Sequence, residues 1–174
     1  NEEPLAQSFD LDAFQYFEED LPEHMNTLAK HAPEDSMKNH QAALGRLLFY
    51  EVQLSRNNAI SCGTCHKQAQ AFTDGERFSL GLFGEETSRN TMSLSNTAFH
   101  QGFFWDNRGS NLEEEVMRPI QNHIEMGIAD LSQLPEKLAQ TSYYPALFQK
   151  TFGTAVIDES HISKALATFI QSMY

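Results

Sequence analysis

The sequence has few basic residues, only two cysteines and no long apolar run. Lys and Arg number 12 against 24 Asp and Glu, so the 174-residue chain carries a formal net charge of −12. Nucleic-acid binding depends on Lys and Arg at the phosphates, and anionic membranes attract basic surfaces. No apolar segment approaches the roughly 18 residues that a membrane-spanning helix needs. We therefore expect neither a nucleic-acid partner nor a membrane span.

The negative charge is unevenly distributed along the chain. Residues 1–40 carry a net charge of −8, which leaves −4 for residues 41–174. Within the acidic segment, Leu11, Phe14 and Phe17 recur at helical spacing. This pattern predicts one short amphipathic helix in an N-terminal segment, 1–40, that packs on the body of the domain.

Strand-like alternation is nearly absent, whereas helical spacing recurs. Leu44, Leu47 and Leu48 predict a helix through residues 40–52. Residues 67–104 contain several glycines and little periodicity, which predicts long loops. Long irregular stretches in a compact domain are usually functional. The pattern as a whole indicates an all-α domain.

Local sequence signals predict where the later helices begin and end. Ser110 and Glu113 form a capping-box pattern, so we expect a helix to begin at Ser110. Pro119 should end or kink that helix. The later signals are, in chain order, Pro135 and Pro145 in first turns, Gly153 as a C-cap and Asp158 as an N-cap.

The two cysteines lie in Cys62-Gly63-Thr64-Cys65-His66. A thioredoxin-like redox pair would require a βαβ pattern, which the sequence lacks. A structural zinc site would require a second Cys or His pair at similar spacing. Histidine directly after the second cysteine instead matches the attachment signature of c-type haem, in which the thiols bind the porphyrin and His66 binds the iron.

Covalent haem attachment has consequences for the rest of the chain. Both thiols are used by the haem, so no disulfide is expected. Haem c is attached outside the cytoplasm, so we expect an exported protein whose signal peptide is removed before Asn1. The macrocycle also gives apolar side chains a large flat surface on which to pack.

The haem motif is one of several short motifs that follow each other along the chain. They are Leu44-Gly45-Arg46-Leu47-Leu48-Phe49-Tyr50, Leu54-Ser55, Ser61-Cys62-Gly63-Thr64-Cys65-His66, Ala71-Phe72-Thr73-Asp74, Arg89-Asn90-Thr91, Phe104-Trp105-Asp106-Asn107-Arg108, Leu112-Glu113-Glu114 and Glu125-Met126-Gly127. This ordered set resembles the N-terminal, peroxidatic domain of the bacterial di-haem cytochrome c peroxidase family, which includes MauG-like enzymes. The resemblance implies a c-type cytochrome fold over residues 41–174, with long loops around a covalently attached haem.

The resemblance also implies roles for individual residues. Cys62 and Cys65 would anchor the haem, and His66 would be the proximal ligand of its iron. Glu125 matches the family's distal glutamate, the acid–base group for peroxide cleavage. Trp105 matches a tryptophan that lies between two haems and assists electron transfer.

Four further comparisons with the family concern the pocket and its edge. Pro119 matches a pocket proline, and Asn90 matches a residue near a calcium site between two domains. Glu115 stands where the family often has glutamine. Two carboxylates facing one cavity would repel, so one would stay protonated near neutral pH.

Many members carry a histidine in the loop after the haem motif that blocks the distal side of the haem. No histidine lies between His66 and His100, so we expect an open distal face.

The implied reaction is the reduction of hydrogen peroxide to water in the periplasm. Electrons would come from a small cytochrome c or cupredoxin through a second haem. In the family, a second haem domain with its own C-x-x-C-H follows, whereas this sequence has one such motif. A truncated chain, a proteolytic half and a true single-haem protein are alternative explanations. A second haem domain or a homodimer mate is expected as a partner, and without the second haem domain the inter-domain calcium site would be incomplete.

Two other functions are compatible with the same residues. Met126 could ligate the iron opposite His66, as in a single-haem electron-transfer cytochrome, and would then exclude peroxide. Alternatively, the haem could drive oxidative modification of a partner protein in the manner of MauG.

Overall fold

The computed structural model describes residues 9–17 and 36–174. Within these residues the regular structure is helical, with three isolated β-bridges and no strand, which confirms the all-α prediction. Short 3₁₀ turns cover Val52–Leu54, Gln68–Gln70 and Thr97–Phe99. The described α-helices are α1 (Ser36–Phe49), α2 (Cys62–Cys65), α3 (Leu112–Glu115), α4 (Arg118–Gln121), α5 (Gln133–Ala139), α6 (Tyr144–Phe152) and α7 (Glu159–Gln171).

Residues 9–17 form a turn followed by irregular chain, so the helix predicted from their apolar spacing is wrong there. The carboxylate of Asp10 accepts a hydrogen bond from the backbone N–H of Asp12, which favours a turn. Leu11 and Phe17 are nevertheless buried, whereas Phe14 is 55% exposed. The rest of the acidic segment lies outside the described residues.

The core is centred on the packing of α1 against α7. Leu44 and Leu48 from α1 and Leu166 from α7 are each fully buried, and burial of such a side chain contributes about 1.5–3 kcal/mol. Gly45 permits the close approach of the two helices, because a Cβ atom there would lie 1.9 Å from the backbone oxygen of Ala165. This contact fixes the end of α1 beside the haem motif.

The C-terminal helices follow their sequence signals. Asp158 caps α7 by accepting a hydrogen bond from the backbone N–H of His161, and Gly153 ends α6 in the left-handed conformation with φ +75°. Pro145 lies in the first turn of α6, and Pro135 lies in α5. These predictions are confirmed.

The helix predicted to begin at Ser110 begins one residue later than expected. Asn111 is the N-cap of α3, and its side chain accepts a hydrogen bond from the backbone N–H of Glu113. Asparagine is an equally good cap because its carbonyl oxygen can fill the same role. The predicted break occurs: α3 ends at Glu115, and Pro119 lies in the first turn of the separate helix α4.

Long loops connect α2 to α3, as the sequence predicts for residues 67–104. Three isolated bridges close these loops locally: Lys67 with Thr73, Leu80 with Glu86, and Phe103 with Gly109. The loops thereby form one side of a large cavity, and the helices form the other. Among the described residues, none of the helices has the length and apolar character needed to cross a bilayer.

Candidate active site

A cavity of about 630 Å³ lies between the helical core and the long loops. Every site residue that the sequence singled out lines this cavity, although these residues are spread over 64 positions of chain from Cys62 to Glu125. They are Cys62, Cys65, His66, Asn90, Trp105, Glu115, Pro119 and Glu125. The fold therefore brings the sequence candidates together in one place.

His66 is held in a defined orientation at the end of α2. Its Nδ1 atom lies 2.8 Å from the backbone oxygen of Phe72 and donates to it, since a carbonyl can only accept. The other ring nitrogen, Nε2, is then the one that can bind a metal. Burial lowers the pKa of His66, opposed by the carbonyls of Phe72 and Met92. The neutral imidazole that an iron ligand requires is therefore favoured.

The loop after the haem motif is shaped to present the Phe72 carbonyl. The backbone N–H of Lys67 donates to Thr73, and that of Phe72 donates back to Lys67, at 2.9 Å each. Ala71 and Phe72 adopt positive φ angles of 52° and 58°, which are uncommon for residues with a side chain. The hydrogen bonds hold the loop in this conformation beside His66.

Cys62 and Cys65 lie one helical turn apart and both line the cavity. Burial raises the pKa of Cys62 to about 12, and burial also raises the pKa of Cys65. Burial therefore favours the neutral form of both thiols. With His66 beside them and a cavity of ligand size, these residues fit a covalently attached haem.

Glu125 enters the cavity from the turn that follows α4. Its Oε1 atom accepts a hydrogen bond of 2.9 Å from the side-chain amide of Asn122. Burial raises the pKa of Glu125, and the positive charge of Arg108 partly opposes that shift. A carboxyl group with a raised pKa can both accept and donate a proton near neutral pH.

Glu115 is 5% exposed and pairs with Arg118, whose Nε lies 2.5 Å from its Oε2 atom. The contact is an ion pair without the alignment of a hydrogen bond. Gly109 leaves room for this carboxyl group, because a Cβ atom there would lie 2.5 Å from the Cδ of Glu115.

The Arg118 ion pair bears on the expected repulsion between two cavity carboxylates. The negative charge of Glu115 is compensated locally by the guanidinium. The raised pKa of Glu125 has burial as its cause. Repulsion by Glu115 is therefore not needed to explain it.

Trp105 lies at the mouth of the cavity and is 64% exposed, so it is not a core residue. Its indole N–H donates a hydrogen bond of 2.9 Å to the backbone oxygen of Asn90. The Asn90 side chain donates in turn to the backbone oxygen of Glu76. Asp106, next to Trp105, forms ion pairs with Arg89 and Arg108, which hold the loop in place.

Three other cavity residues bear on the predictions. Met126 is buried and lines the cavity. The backbone oxygen of Pro119 accepts a hydrogen bond from the N–H of Met126. His100 also lines the cavity but is exposed, and the sequence had not placed it there.

Residues 39–174 match the family described as di-haem cytochrome c peroxidase. The chain belongs to this family. The family implies haem c as the cofactor, which is the cofactor that the Cys62-to-His66 motif predicts.

Relatives in the family include both MauG proteins and cytochrome c peroxidases. The chain is 34% identical over 133 residues to the methylamine utilization protein MauG of Methylophilus methylotrophus, covering 76% of this chain and 39% of that protein. It is 32% identical over 166 residues to cytochrome c551 peroxidase of Pseudomonas aeruginosa, covering 94% and 46% respectively. The chain thus spans less than half the length of either relative.

A solved structure has the same architecture. A MauG-like protein associated with microbial copper homeostasis superimposes with a TM-score of 0.73 at 28% identity, over 96% of this chain and 47% of that one. This similarity supports the c-type cytochrome fold that the motifs predicted.

Four residues that shape the site were not indicated by the sequence pattern. Phe72 acts through its backbone oxygen, which no side-chain pattern can reveal. Asn122 and Arg118 are ordinary polar residues of a helix end, and Gly109 resembles any loop glycine. The one available signal was spacing. Asn122 lies three residues before Glu125, and Arg118 lies three residues after Glu115.

Proposed function

We propose that this chain is the peroxidatic haem c domain of an enzyme that reduces hydrogen peroxide to water. The electrons would come from a small cytochrome c or cupredoxin through a second haem. The observation that carries the proposal is the single cavity that holds both the neutral His66 and the carboxyl group of Glu125, whose pKa is raised.

The chain's own residues would hold the haem and tune it. Cys62 and Cys65 would form the covalent bonds, and Nε2 of His66 would bind the iron. The hydrogen bond from Nδ1 to Phe72 keeps the ring in the required tautomer and increases its electron donation. When bound, the haem supplies the iron at which peroxide can be reduced.

Glu125 would perform the proton transfer that peroxide cleavage requires. Breaking the O–O bond needs removal of a proton from one oxygen and its delivery to the other, which leaves as water. A single carboxyl group near both oxygens can do both. Burial raises its pKa, which makes the carboxylate a stronger base, and the amide contact with Asn122 holds one of its oxygens. Glu115 would assist as a second, ion-paired carboxylate.

Trp105 would connect the cavity with an electron source outside it. The indole lines the cavity, is 64% exposed and is held by Asn90, so a partner can reach it from the solvent. A second haem domain or a homodimer mate would dock there and would complete a calcium site near Asn90. Because haem c is attached outside the cytoplasm, we place the protein in the periplasm.

The substitution Glu125→Gln tests this function. Glutamine has the same shape but cannot accept the proton, so the rate of peroxide turnover should fall by about 10²–10⁴-fold, the usual range for loss of a general acid–base group. Turnover is measured with the haem-loaded protein and an artificial electron donor. The visible spectrum and circular dichroism should show that haem and helices are retained.

Glu113→Gln is the matched control, because it makes the same chemical change on an exposed residue of α3. This variant should turn over peroxide at the rate of the unsubstituted protein. Unchanged turnover in Glu125→Gln would show that the acid–base assignment is wrong.

Oxidative modification of a partner protein is a second candidate function. MauG proteins are among the relatives at similar identity, and the exposed Trp105 could pass oxidising equivalents to a docked protein. Trp105→Phe would then abolish modification of the partner while leaving the direct reaction of peroxide at the cavity intact. Turnover with small electron donors alone would favour the peroxidase.

An electron-transfer cytochrome with His66 and Met126 as ligands is the third candidate. Met126 is buried and lines the same cavity as His66, which is the observation that supports this candidate. The oxidised visible spectrum distinguishes it, because a thioether-to-iron charge-transfer band would appear and peroxide would cause no rapid spectral change.

A further inference from the structure

Asn122 is the residue that connects the end of α4 to Glu125. Its backbone oxygen accepts hydrogen bonds from Met126 and Gly127, at 3.2 and 2.8 Å. Its side chain makes two more contacts with different atoms. Oδ1 accepts from the backbone N–H of Ile124 at 3.0 Å, and Nδ2 donates to Oε1 of Glu125 at 2.9 Å.

The two side-chain contacts have separate consequences. The Oδ1 contact closes the turn and requires only an acceptor, which aspartate or serine can also supply. The Nδ2 contact requires a donor and reaches the carboxyl group that faces the cavity. Asn122 itself lines the cavity and is exposed, so it lies between Glu125 and the solvent.

We propose that Asn122 is a positioning residue for Glu125, whose side-chain amide holds one carboxyl oxygen and leaves the other directed at the substrate. The inference rests on the proposed function of Glu125 and extends it to a residue that never contacts the reacting atoms. Without the amide, the carboxyl group would rotate between the cavity and the solvent. A fixed orientation at the reacting centre is a large part of what an active site contributes.

The amide also acts on a carboxyl group that shares its cavity with other charged and titratable groups, including His66 and His100. Arg108 attracts its negative charge, whereas Cys62 and Cys65 interact with it as thiols that become neutral anchors once haem is attached. Glu115 is already paired with Arg118. A donor from Asn122 favours the ionised form of Glu125, and its removal should shift the acid limb of the activity profile to higher pH.

Asn122→Ser and Asn122→Asp separate the two contacts. Both variants keep an acceptor for the N–H of Ile124, and both lose the amide group that donates to Glu125. Serine has a hydroxyl group on a shorter side chain, which does not extend as far towards Glu125 as the amide does. Serine adds no charge, whereas aspartate places a second negative charge beside the carboxyl group. In the haem-loaded chain, the rate constant for reaction with hydrogen peroxide should fall about tenfold for serine, as expected for loss of a hydrogen bond to a charged group. The acid limb should move further upward for aspartate than for serine.

The same substitutions in the Glu125→Gln background complete a double-mutant cycle. If Asn122 acts through Glu125, the serine substitution should have little additional effect there. The inference would be overturned if Asn122→Ser lowered the rate constant equally with and without Glu125→Gln, or lowered it in neither case. Asn122 would then have only a structural role in the turn. Circular dichroism and haem content verify that each variant is folded.

Infrared difference spectroscopy provides a readout that does not depend on turnover. The stretching band of the protonated Glu125 carboxyl group is assigned by its absence in Glu125→Gln and followed with pH. The pH at the midpoint of this titration should be higher in Asn122→Ser than in the unsubstituted protein. An unchanged midpoint would contradict the inference. If Glu125→Gln has normal turnover but the midpoint still shifts, the proposed function fails while the contact between Asn122 and Glu125 is upheld.

Discussion

Glu115 illustrates how a single ion pair allows a carboxylate to occupy a buried position. The carboxyl group is almost completely buried, whereas its partner Arg118 is largely exposed. Solvent therefore weakens the attraction from one side, while the desolvation of the carboxylate remains. The main role of Arg118 is to prevent an uncompensated charge at the cavity wall.

Removing Arg118 should destabilise the domain. In Arg118→Ala the buried carboxylate of Glu115 loses its partner, and leaving such a group unsatisfied costs about 1–3 kcal/mol. Chemical denaturation of the haem-loaded protein measures the change in the free energy of unfolding. Adding Glu115→Gln to Arg118→Ala should recover most of the loss, since no charge then needs a partner. Equal stability of the single and double variants would contradict this explanation.

At the residue scale, the residues that would bind the haem could be predicted from the sequence. The groups that hold the site residues in position could not. Cys62, Cys65 and His66 are recognisable because covalent attachment and ligation require those residue types at that spacing. The orientation of His66 depends on the backbone oxygen of Phe72, which any residue could supply. Asn122 acts through a hydrogen bond whose existence depends on how the chain turns after α4. Such contacts are properties of the fold.

At the element scale, the segment 9–17 is a strap, held against α1 and α6 by polar contacts. Asp12 is hydrogen-bonded to Nε2 of His40, at 2.5 Å, and forms an ion pair with Lys150, at 2.9 Å. The side chain of Asn39 donates a hydrogen bond to the backbone oxygen of Phe14 and accepts one from the backbone N–H of Tyr16, both within the strap. These contacts position Leu11 and explain why a segment without helical structure is still ordered on the core.

The contribution of Asp12 should depend on pH. Hydrogen bonds from His40 and Lys150 lower the pKa of Asp12 in the folded protein. Its stabilising effect is therefore present above the unfolded pKa of about 3.9 and is lost as pH falls through the lowered folded value. Asp12→Asn should increase hydrogen exchange of residues 9–17 at pH 7.

Lowering the pH tests the sign of this effect. The difference in exchange between Asp12→Asn and the unsubstituted protein should shrink as the pH falls below about 4, where Asp12 begins to lose its charge. Asp10→Asn is the control, because its carboxylate lies 3.9 Å from Lys150 and contributes a weaker ion pair. A difference that persists undiminished at low pH would exclude the ion pairs as its cause.

The elements differ in how well the sequence predicted them, for identifiable reasons. Helix α7 has a cap at Asp158 and a continuous apolar face, so both its start and its buried side are evident. The strap has three apolar residues at helical spacing, but the carboxylate of Asp10 binds the backbone and favours a turn. Ser110 completes a capping-box pattern in the sequence, whereas the N-cap in the structure is the next residue, Asn111. Spacing alone does not distinguish these alternatives.

At the scale of the whole molecule, the cavity is a structural feature as well as the proposed catalytic site. Leu166 and Ile170 of α7 and Phe49 of α1 belong to the hydrophobic core and also line the cavity. One face of the core is therefore completed by whatever fills the cavity. In a family that binds haem c, the haem would be a part of the core that the polypeptide does not supply.

Preventing haem attachment should consequently weaken the whole domain. In Cys62→Ser/Cys65→Ser, prepared without haem, the walls of the 630 Å³ cavity lose their packing partners. If the free energy of unfolding falls by about 4 kcal/mol, the melting temperature should fall by roughly 10 °C in a domain of this size. The helices should persist by far-ultraviolet circular dichroism, whereas near-ultraviolet signals should weaken and dye binding to exposed apolar surface should increase. A haem-free variant that unfolds as cooperatively, and at the same temperature, as the haem-loaded protein would show that the polypeptide core is sufficient by itself.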